Sequence, residues 1–313
     1  MKNDKKIIIT GAAGLIGQNL VARLKEQSFN NIIAIDKHKA NCATFTKLNP
    51  QIKMIEADLA EKGNWEKSFA GADILVLNHA QIGALNEEPF IRNNITATKH
   101  VLNAAKKHNI PYIIHISSSV VNSKADDFYT QTKIQQEKMV LSSKIPSTVL
   151  RPTLMFGWFD RKHLGWLARF MKKSPIFPIP SNGKFLRQPL YGGDFCNVII
   201  SCIKNPKPNK IFNISGQNEI YYIDLIKTVK KATNSKTKIL KIPYFLFWIL
   251  LKTYAIFDRN PPFTTSQLQA LIIPETFEII DWPSEFNIQS TSLSDAMQET
   301  FQDPKHSNIT LEF

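Results

Sequence analysis

The chain has 313 residues, 43% hydrophobic and 21% charged, a balance that excludes a disordered chain and suits one large α/β unit or two domains. Cys42, Cys196 and Cys202 are the only cysteines and show neither Cys-x-x-Cys nor zinc spacing, which excludes a disulfide scaffold and points to reduced thiols in a cytoplasmic setting. The net charge of +13 admits an anionic substrate, a nucleic acid or a membrane surface, but the basic residues read as scattered, and no nucleic-acid module or metal-ligand spacing is seen.

The apolar run Lys6 to Thr10 predicts a first strand. Gly11-Ala12-Ala13-Gly14-Leu15-Ile16-Gly17 follows at once, and Leu15 to Gln27 has helical spacing. Strand, glycine turn and helix come in the order a dinucleotide site requires, although the spacing is Gly-x-x-Gly-x-x-Gly rather than Gly-x-Gly-x-x-Gly. Glycines allow close approach to a pyrophosphate, whose charge suits a helix N-terminus. Asn31 to Asp36 predicts the next strand and ends on a carboxylate placed to accept from adenosine ribose hydroxyls. That acid repels a 2′-phosphate and favours NAD over NADP, while Lys37, His38 and Lys39 directly after it pull the other way.

Ile52 to Ala57, Ile74 to Asn78, Tyr112 to Ser117 and Ser147 to Arg151 read as further strands. Glu88 to Lys107 predicts a helix with Pro89 in its first turn. The alternation predicts an α/β, doubly wound parallel sheet.

After the strand ending in Ser117-Ser118-Ser119, the segment from Tyr129 to about Ser142 reads as helix. Tyr129 and Lys133 fall on one face of it. A free phenol has a pKa of about 10, and a cation within ~4–6 Å lowers it. With a serine at the strand end to hold the substrate oxygen, this is machinery for taking a proton from an alcohol while a hydride leaves the same carbon. Ser118 is the chosen hydroxyl; Ser117 and Ser119 stay open, because a one-residue slip moves a side chain to the other face.

Beyond Arg151 the pattern loosens around Pro175, Pro178, Pro180, Pro206 and Pro208. Residues 242–257 form the most apolar segment, too short and interrupted for a membrane span. It reads as a packed lobe helix or oligomer contact, or alternatively as an interfacial helix making peripheral membrane contact. Asp281-Trp282-Pro283 reads as a turn, and Ser292 to Phe301 as a closing helix. Arg161, Lys162 and Arg169 read as solvated.

Together these residues resemble the extended short-chain dehydrogenase/reductase superfamily, specifically its NAD-dependent nucleotide-sugar epimerase/dehydratase group. The motifs are Thr10 to Gly17, Asp58-Leu59, Asn78-His79-Ala80, Asn94 to Ala105, Ser117-Ser118 with Tyr129 and Lys133, Arg151-Pro152-Thr153 with Phe156-Gly157, Arg187 to Tyr191 with Asp194, and Ile211 to Gly216. The resemblance implies a Rossmann-like domain over 1–155, with segments near 188–214 returning to it, and a substrate lobe mainly over 156–313. It implies NAD held by Gly11, Ala13, Gly14, Leu15, Ile16, Gly17, Asp36, Asp58, Leu59, Asn78, His79, Ala80 and Lys133. It implies catalysis by Ser118, Tyr129 and Lys133, and a nucleotide-sugar substrate met by Gln81, Ser119 and Arg187, the arginine on the diphosphate. A homodimer is the family expectation.

Departures from the family pattern narrow the chemistry. Dehydratases of the group place Asp-Glu directly after the catalytic Ser/Thr, where this chain has Ser119-Val120. The expectation is therefore a 4-epimerase or 4-keto reductase, with dehydration disfavoured. Two alternatives stand beside it: a dehydrogenase of a sterol- or lipid-like alcohol, suggested by the apolar Phe245–Leu251 stretch, and a non-catalytic dinucleotide-binding protein.

Overall fold

The computed structural model describes residues 4–123, 126–257, 265–273, 277–278 and 280–312. Residues 124 and 125, part of the loop between Ser118 and Tyr129, lie outside the described residues, as do the side chains of 254–257 in the apolar segment. Strands β1 (Ile7–Thr10), β2 (Ile32–Asp36), β3 (Lys53–Glu56), β4 (Ile74–Leu77), β5 (Ile113–Ile116) and β6 (Ser147–Pro152) alternate with helices, as the sequence pattern predicts. Further along are β7 (Ile176–Pro180), β8 (Lys210–Ile214) and β9 (Lys238–Ile242). The main sheet is parallel, in the order β8-β6-β5-β4-β1-β2-β3.

Both sheet faces are buried, which is why its central strands are continuous apolar runs. Ile7 and Ile9 enter the core on one side of the sheet, and Ile8 enters the core on the other. In β4, Ile74 and Val76 take the first side, and Leu75 and Leu77 the second. Helix α1 (Leu15–Glu26) packs against α6 (Gly192–Lys204) on the first side, while α3 (Ala97–Lys107) packs on the second. Chain order reverses between β1 and β4, so a crevice opens at their C-terminal ends.

The glycine turn has two different structural reasons. Gly11 has φ +64°, and a Cβ there would lie 2.7 Å from His79 Cα. A Cβ on Gly17 would lie 2.5 Å from Ala12 Cα and carbonyl O, so this glycine lets α1 pack against the turn before it.

The predicted helix over 88–107 forms, with a π-helical stretch at Ile91–Thr96. Such insertions often mark functional positions. Within it, fully buried Asn94 accepts from the Gln81 amide at 2.7 Å and donates to the Gln81 carbonyl at 3.1 Å and Thr132 Oγ1 at 3.0 Å. It thereby fastens the loop after β4 to helix α4 (Phe128–Leu141), whose N-terminus is capped by Asp127 accepting from Thr130 N.

Residues beyond β6 divide between two places. Helix α6 and β8 complete the sheet layer. A second core gathers around α5 (Leu164–Lys173), α7 (Tyr222–Ala232), α10 (Leu293–Gln302) and the parallel β7–β9 ribbon. Helices α8 (Tyr244–Phe257) and α9 (Thr265–Ile272) follow that ribbon.

Gly17→Ala is expected to lower unfolding free energy by about 1–3 kcal/mol, as overpacking of a tight contact does. Urea unfolding of the two proteins measures it, and an unchanged midpoint would show that the turn yields without cost.

Candidate active site

A cleft of about 630 Å³ lies over the C-terminal ends of the central strands. Gly11, Gly14, Leu15, Ile16 and Asp36 line one end, with Asp58 and Leu59 beside them. Asn78, His79, Ala80 and Gln81 line its middle, and Ser117, Ser118, Ser119, Tyr129 and Lys133 its far wall. The predicted positions thus meet in one crevice, apart from Ala13, Gly17 and Arg187. Ala13 turns its amide to Asp36 Oδ2 at 2.9 Å, and Gly17 serves helix packing.

The first end fits a dinucleotide. Gly14 is the N-cap of α1, no side chain caps the helix there, and its first turn lines the cleft. The nearest atom to a Cβ built on Gly14 is 3.4 Å away, so the protein itself leaves room for one, and the space lies where a pyrophosphate would sit. Asp36 accepts from Lys37 N at 2.8 Å and His38 N at 3.1 Å, which fixes its carboxylate at the edge of β2. Beyond it, Asp58 is ion-paired with Lys37 at 3.7 Å and Arg92 at 3.1 Å. Burial acts to raise the Asp58 pKa, but the Ala60 amide, Lys37 and Arg92 together hold it below the ordinary carboxylate value.

A buried polar chain runs beneath the middle of the cleft. His79 Nδ1 lies 2.8 Å from Thr10 Oγ1, and Nε2 lies 3.1 Å from Thr98 Oγ1. Thr98 accepts from Gln136 at 2.8 Å, and Gln136 Oε1 accepts from the Lys133 ammonium at 2.6 Å. Lys133 also donates to the Ile116 carbonyl at 2.9 Å and is 1% exposed. Burial lowers its pKa to about 7, against the raising influence of Glu137. Burial, with Lys133 next, pushes His79 down to about 3, so its imidazole is neutral and serves as a brace.

The serines separate cleanly. Ser117 donates to Glu137 Oε2 at 2.5 Å, and Arg151 clasps the same carboxylate at 2.5 and 3.1 Å. Ser117 is therefore a structural partner. Ser118 and Tyr129 line the cleft together, and Ser118 acts to lower the phenol pKa. Ser119 lines the cleft one residue further on.

Three sequence expectations are corrected by these contacts. Tyr129 does not have its pKa lowered by Lys133: burial raises it, the Ser118 hydrogen bond lowers it in part, and Asp127 adds to the rise. The lysine is drawn instead onto Ile116 and Gln136. Arg187 does not line the cleft; it is buried and donates to the carbonyls of Leu186, Leu271 and Ile273, bracing the chain after α9. Arg161 and Lys162 are not simply solvated, since both line the cleft, and burial lowers both pKa values. Arg169 holds their loop through the Asp160 and Arg161 carbonyls.

Sequence reasoning passed over Gln136, although its position three residues after Lys133 puts both on one helix face. It also passed over Leu311 and Glu312, which line the cleft near α2 (Lys39–Leu48). Asn41 holds them there, accepting from Glu312 N at 2.8 Å and donating to its carbonyl at 3.1 Å. No local pattern signals a contact across 271 positions.

Comparison with known proteins agrees with this geometry. Residues 7–215 match the family described as "NAD dependent epimerase/dehydratase family". The chain is 23% identical over 317 aligned positions to UDP-glucose 4-epimerase of Vibrio cholerae, covering 92% of this chain and 93% of that protein. It is 21% identical over 272 positions to dTDP-glucose 4,6-dehydratase of Escherichia coli, covering 72% and 75% respectively. A crystal structure of UDP-glucose 4-epimerase with UDP-glucose, from Thermotoga maritima, shares the fold with a TM-score of 0.75 at 16% identity, over 94% of this chain and 97% of that one.

Two outcomes test the site. Gly14→Ala is expected to leave thermal unfolding of the cofactor-free protein unchanged while weakening NAD binding at least about tenfold, roughly the loss of 1.4 kcal/mol; calorimetric titration against NAD measures this, and unaltered affinity would place the pyrophosphate elsewhere. Lys133 binds its proton more weakly folded than unfolded, so its burial costs stability below about pH 7, and that cost is relieved as pH rises from there toward the ordinary lysine pKa. Urea unfolding of wild type and Lys133→Met at pH 6 and pH 9 is expected to show wild type gaining relative to the variant at the higher pH. A constant difference would contradict a lowered pKa.

Proposed function

The chain belongs to the NAD-dependent epimerase/dehydratase family, and from that premise we propose that it carries out reversible oxidation at C4 of a nucleotide sugar. The outcome is 4-epimerisation, or reduction of a 4-keto sugar if product leaves after one transfer. The observation that carries this reading is the Ser118–Tyr129 hydroxyl pair in the cleft, with the Lys133 ammonium buried behind it.

The division of labour follows from the contacts. Ser118 holds the sugar hydroxyl and orients it toward Tyr129. Tyr129 takes the proton as the alcohol is oxidised and returns it on reduction. When bound, NAD supplies hydride acceptance and return. Because burial raises the phenol pKa, a positive charge has to approach before Tyr129 works as a base at neutral pH. Lys133, about one helical turn on from Tyr129, is the candidate if substrate or cofactor draws it from the Ile116 carbonyl. Asp36 supports NAD over NADP, since a second anion beside its carboxylate is unfavourable. Lys37 is committed to Asn93 and Asp58, which leaves less cation for a 2′-phosphate.

Dehydratases stand among the relatives as epimerases do, so relationship alone does not separate the reactions. The support for disfavouring dehydration comes from this chain. Among the described residues, the cleft carboxylates are Asp36, Asp58, Asp160 and Glu312, and none directly follows Ser118, where Ser119 and Val120 stand. Asp160 is occupied by the amides of Lys162, His163 and Gly165. A lipid-like alcohol is a second reading, favoured by the apolar α8. A cytoplasmic setting, a homodimer and the division into 1–155 and 156–313 belong to the same proposal; light scattering measures the dimer, and limited proteolysis the division.

Incubation with UDP-, GDP- and dTDP-sugars, with and without NAD, is expected to give a C4 epimer or a reduced 4-keto sugar. Tyr129→Phe should lower kcat by about 10²–10⁴-fold, the usual contribution of a general acid–base group. Undiminished turnover by that variant, or a 4-keto-6-deoxy product from the wild type, would overturn the assignment.

A further inference from the structure

The positive charge of this chain is not spread over it. Residues 161–257 hold 17 of the 39 Lys and Arg residues but only three of the 26 acids, Asp194, Glu219 and Asp224. Elsewhere 22 basic residues face 23 acids, close to neutrality. From Leu225 to Phe257 there are seven lysines and no acid at all. This corrects the reading of scattered basic residues, which a count over the whole chain cannot resolve.

The same stretch presents an apolar helix to solvent. Helix α8 begins one residue after β9, across Pro243. Phe245 is 71% exposed, Leu246 48% and Leu250 47%, while Phe247 is buried on the opposite side. With 3.6 residues per turn, Phe245, Leu246, Ile249 and Leu250 share one broad face, and Lys252 lies along its edge. On the adjoining ribbon Ile176 pairs with Lys238, and Lys238 and Leu240 point to one face two residues apart. Ile176 and Leu240 are 46% and 49% exposed, and Lys172, Lys173, Lys236, Lys238 and Lys241 around them are exposed as well.

We infer that α8 and the β7–β9 ribbon form a docking surface for an anionic lipid bilayer, with Phe245, Leu246 and Leu250 entering the interface and the lysines meeting lipid headgroups. The occupant is chosen by the combination of features. A self-association face gains nothing from a dense charge of one sign, which repels its own copy. A nucleic acid is bound by cations and stacking aromatics and has no use for exposed leucines. An amphipathic element with a basic margin and large apolar side chains is what an anionic interface binds. Among the described residues no helix is long and apolar enough to cross a membrane, so the contact is superficial. This inference is independent of the reaction in the cleft.

Sedimentation of the full chain with vesicles tests it. Binding is expected to phosphatidylcholine vesicles containing phosphatidylserine, weaker with added salt, and absent from phosphatidylcholine alone. Near an anionic surface each lysine adds about fivefold to partitioning, so Lys238→Gln, Lys241→Gln and Lys252→Gln together should weaken it on the order of 100-fold. Phe245→Ser with Leu250→Ser should abolish it at equal charge. All five positions are exposed, so folding is checked by circular dichroism and NAD affinity is expected to stay at the wild-type value. Absence of wild-type binding to anionic vesicles overturns the inference. So does binding that the serine pair leaves intact, which would mean charge alone and a polyanion such as RNA. A wild-type dimer that the serine pair turns into monomer, with no vesicle binding, would assign the face to a second copy.

Discussion

A buried ammonium is the constraint around which the centre of this molecule is arranged. Lys133 sits below the cleft where water cannot solvate it, and an unpaired charge there would be costly. The chain meets that cost with the Ile116 carbonyl at the end of β5 and the Gln136 amide one helical turn on. Gln136 in turn leans on Thr98, Thr98 on His79, and His79 on Thr10 at the end of β1. Strands β1 and β5, the loop after β4 and helices α3 and α4 are thereby tied through side chains where the backbone ladder stops.

The same arrangement separates holding from reacting. Ser117 and Arg151 both donate to the Glu137 carboxylate, which holds the strand end to the helix. Ser118, one residue after Ser117, and Tyr129, about two turns before Glu137 on the helix, lie in the cleft. Burial alone makes Tyr129 a poorer acid than a free phenol, so its chemistry depends on what enters the cleft with it. The glycine turn follows the same division: Gly11 and Gly17 satisfy the protein's own sterics, whereas Gly14 has room beside it that the proposed cofactor would use.

Charge divides the chain in another way. The sheet half is only moderately basic and the C-terminal end is acidic, while residues 161–257 carry an excess larger than the net charge of the whole protein. Arg161 and Lys162 turn part of that excess toward the cleft. The lysines of α7, β9 and α8 turn the rest outward. One basic lobe thus places cations both at the cleft and on the outer surface.

Sequence alone determined the sheet, the glycine turn, the acid at Asp36 and the Tyr129–Lys133 pair. These are local signals: the run Ile7-Ile8-Ile9 is a strand because both its faces are buried, and a four-residue spacing is one face of any helix. Only the tertiary structure decided what the polar side chains do. Lys133 was legible as a cation near a tyrosine, but its partner is set by which carbonyl and amide the packing brings within reach. Arg187 was legible as a basic residue in a family motif, yet carbonyls 84 and 86 positions away claim it. Glu312 reaches the cleft through Asn41, 271 positions distant. Hydrogen bonds are short-ranged and directional, so they depend on the final distances between distant segments, and those distances exist only once the chain has folded.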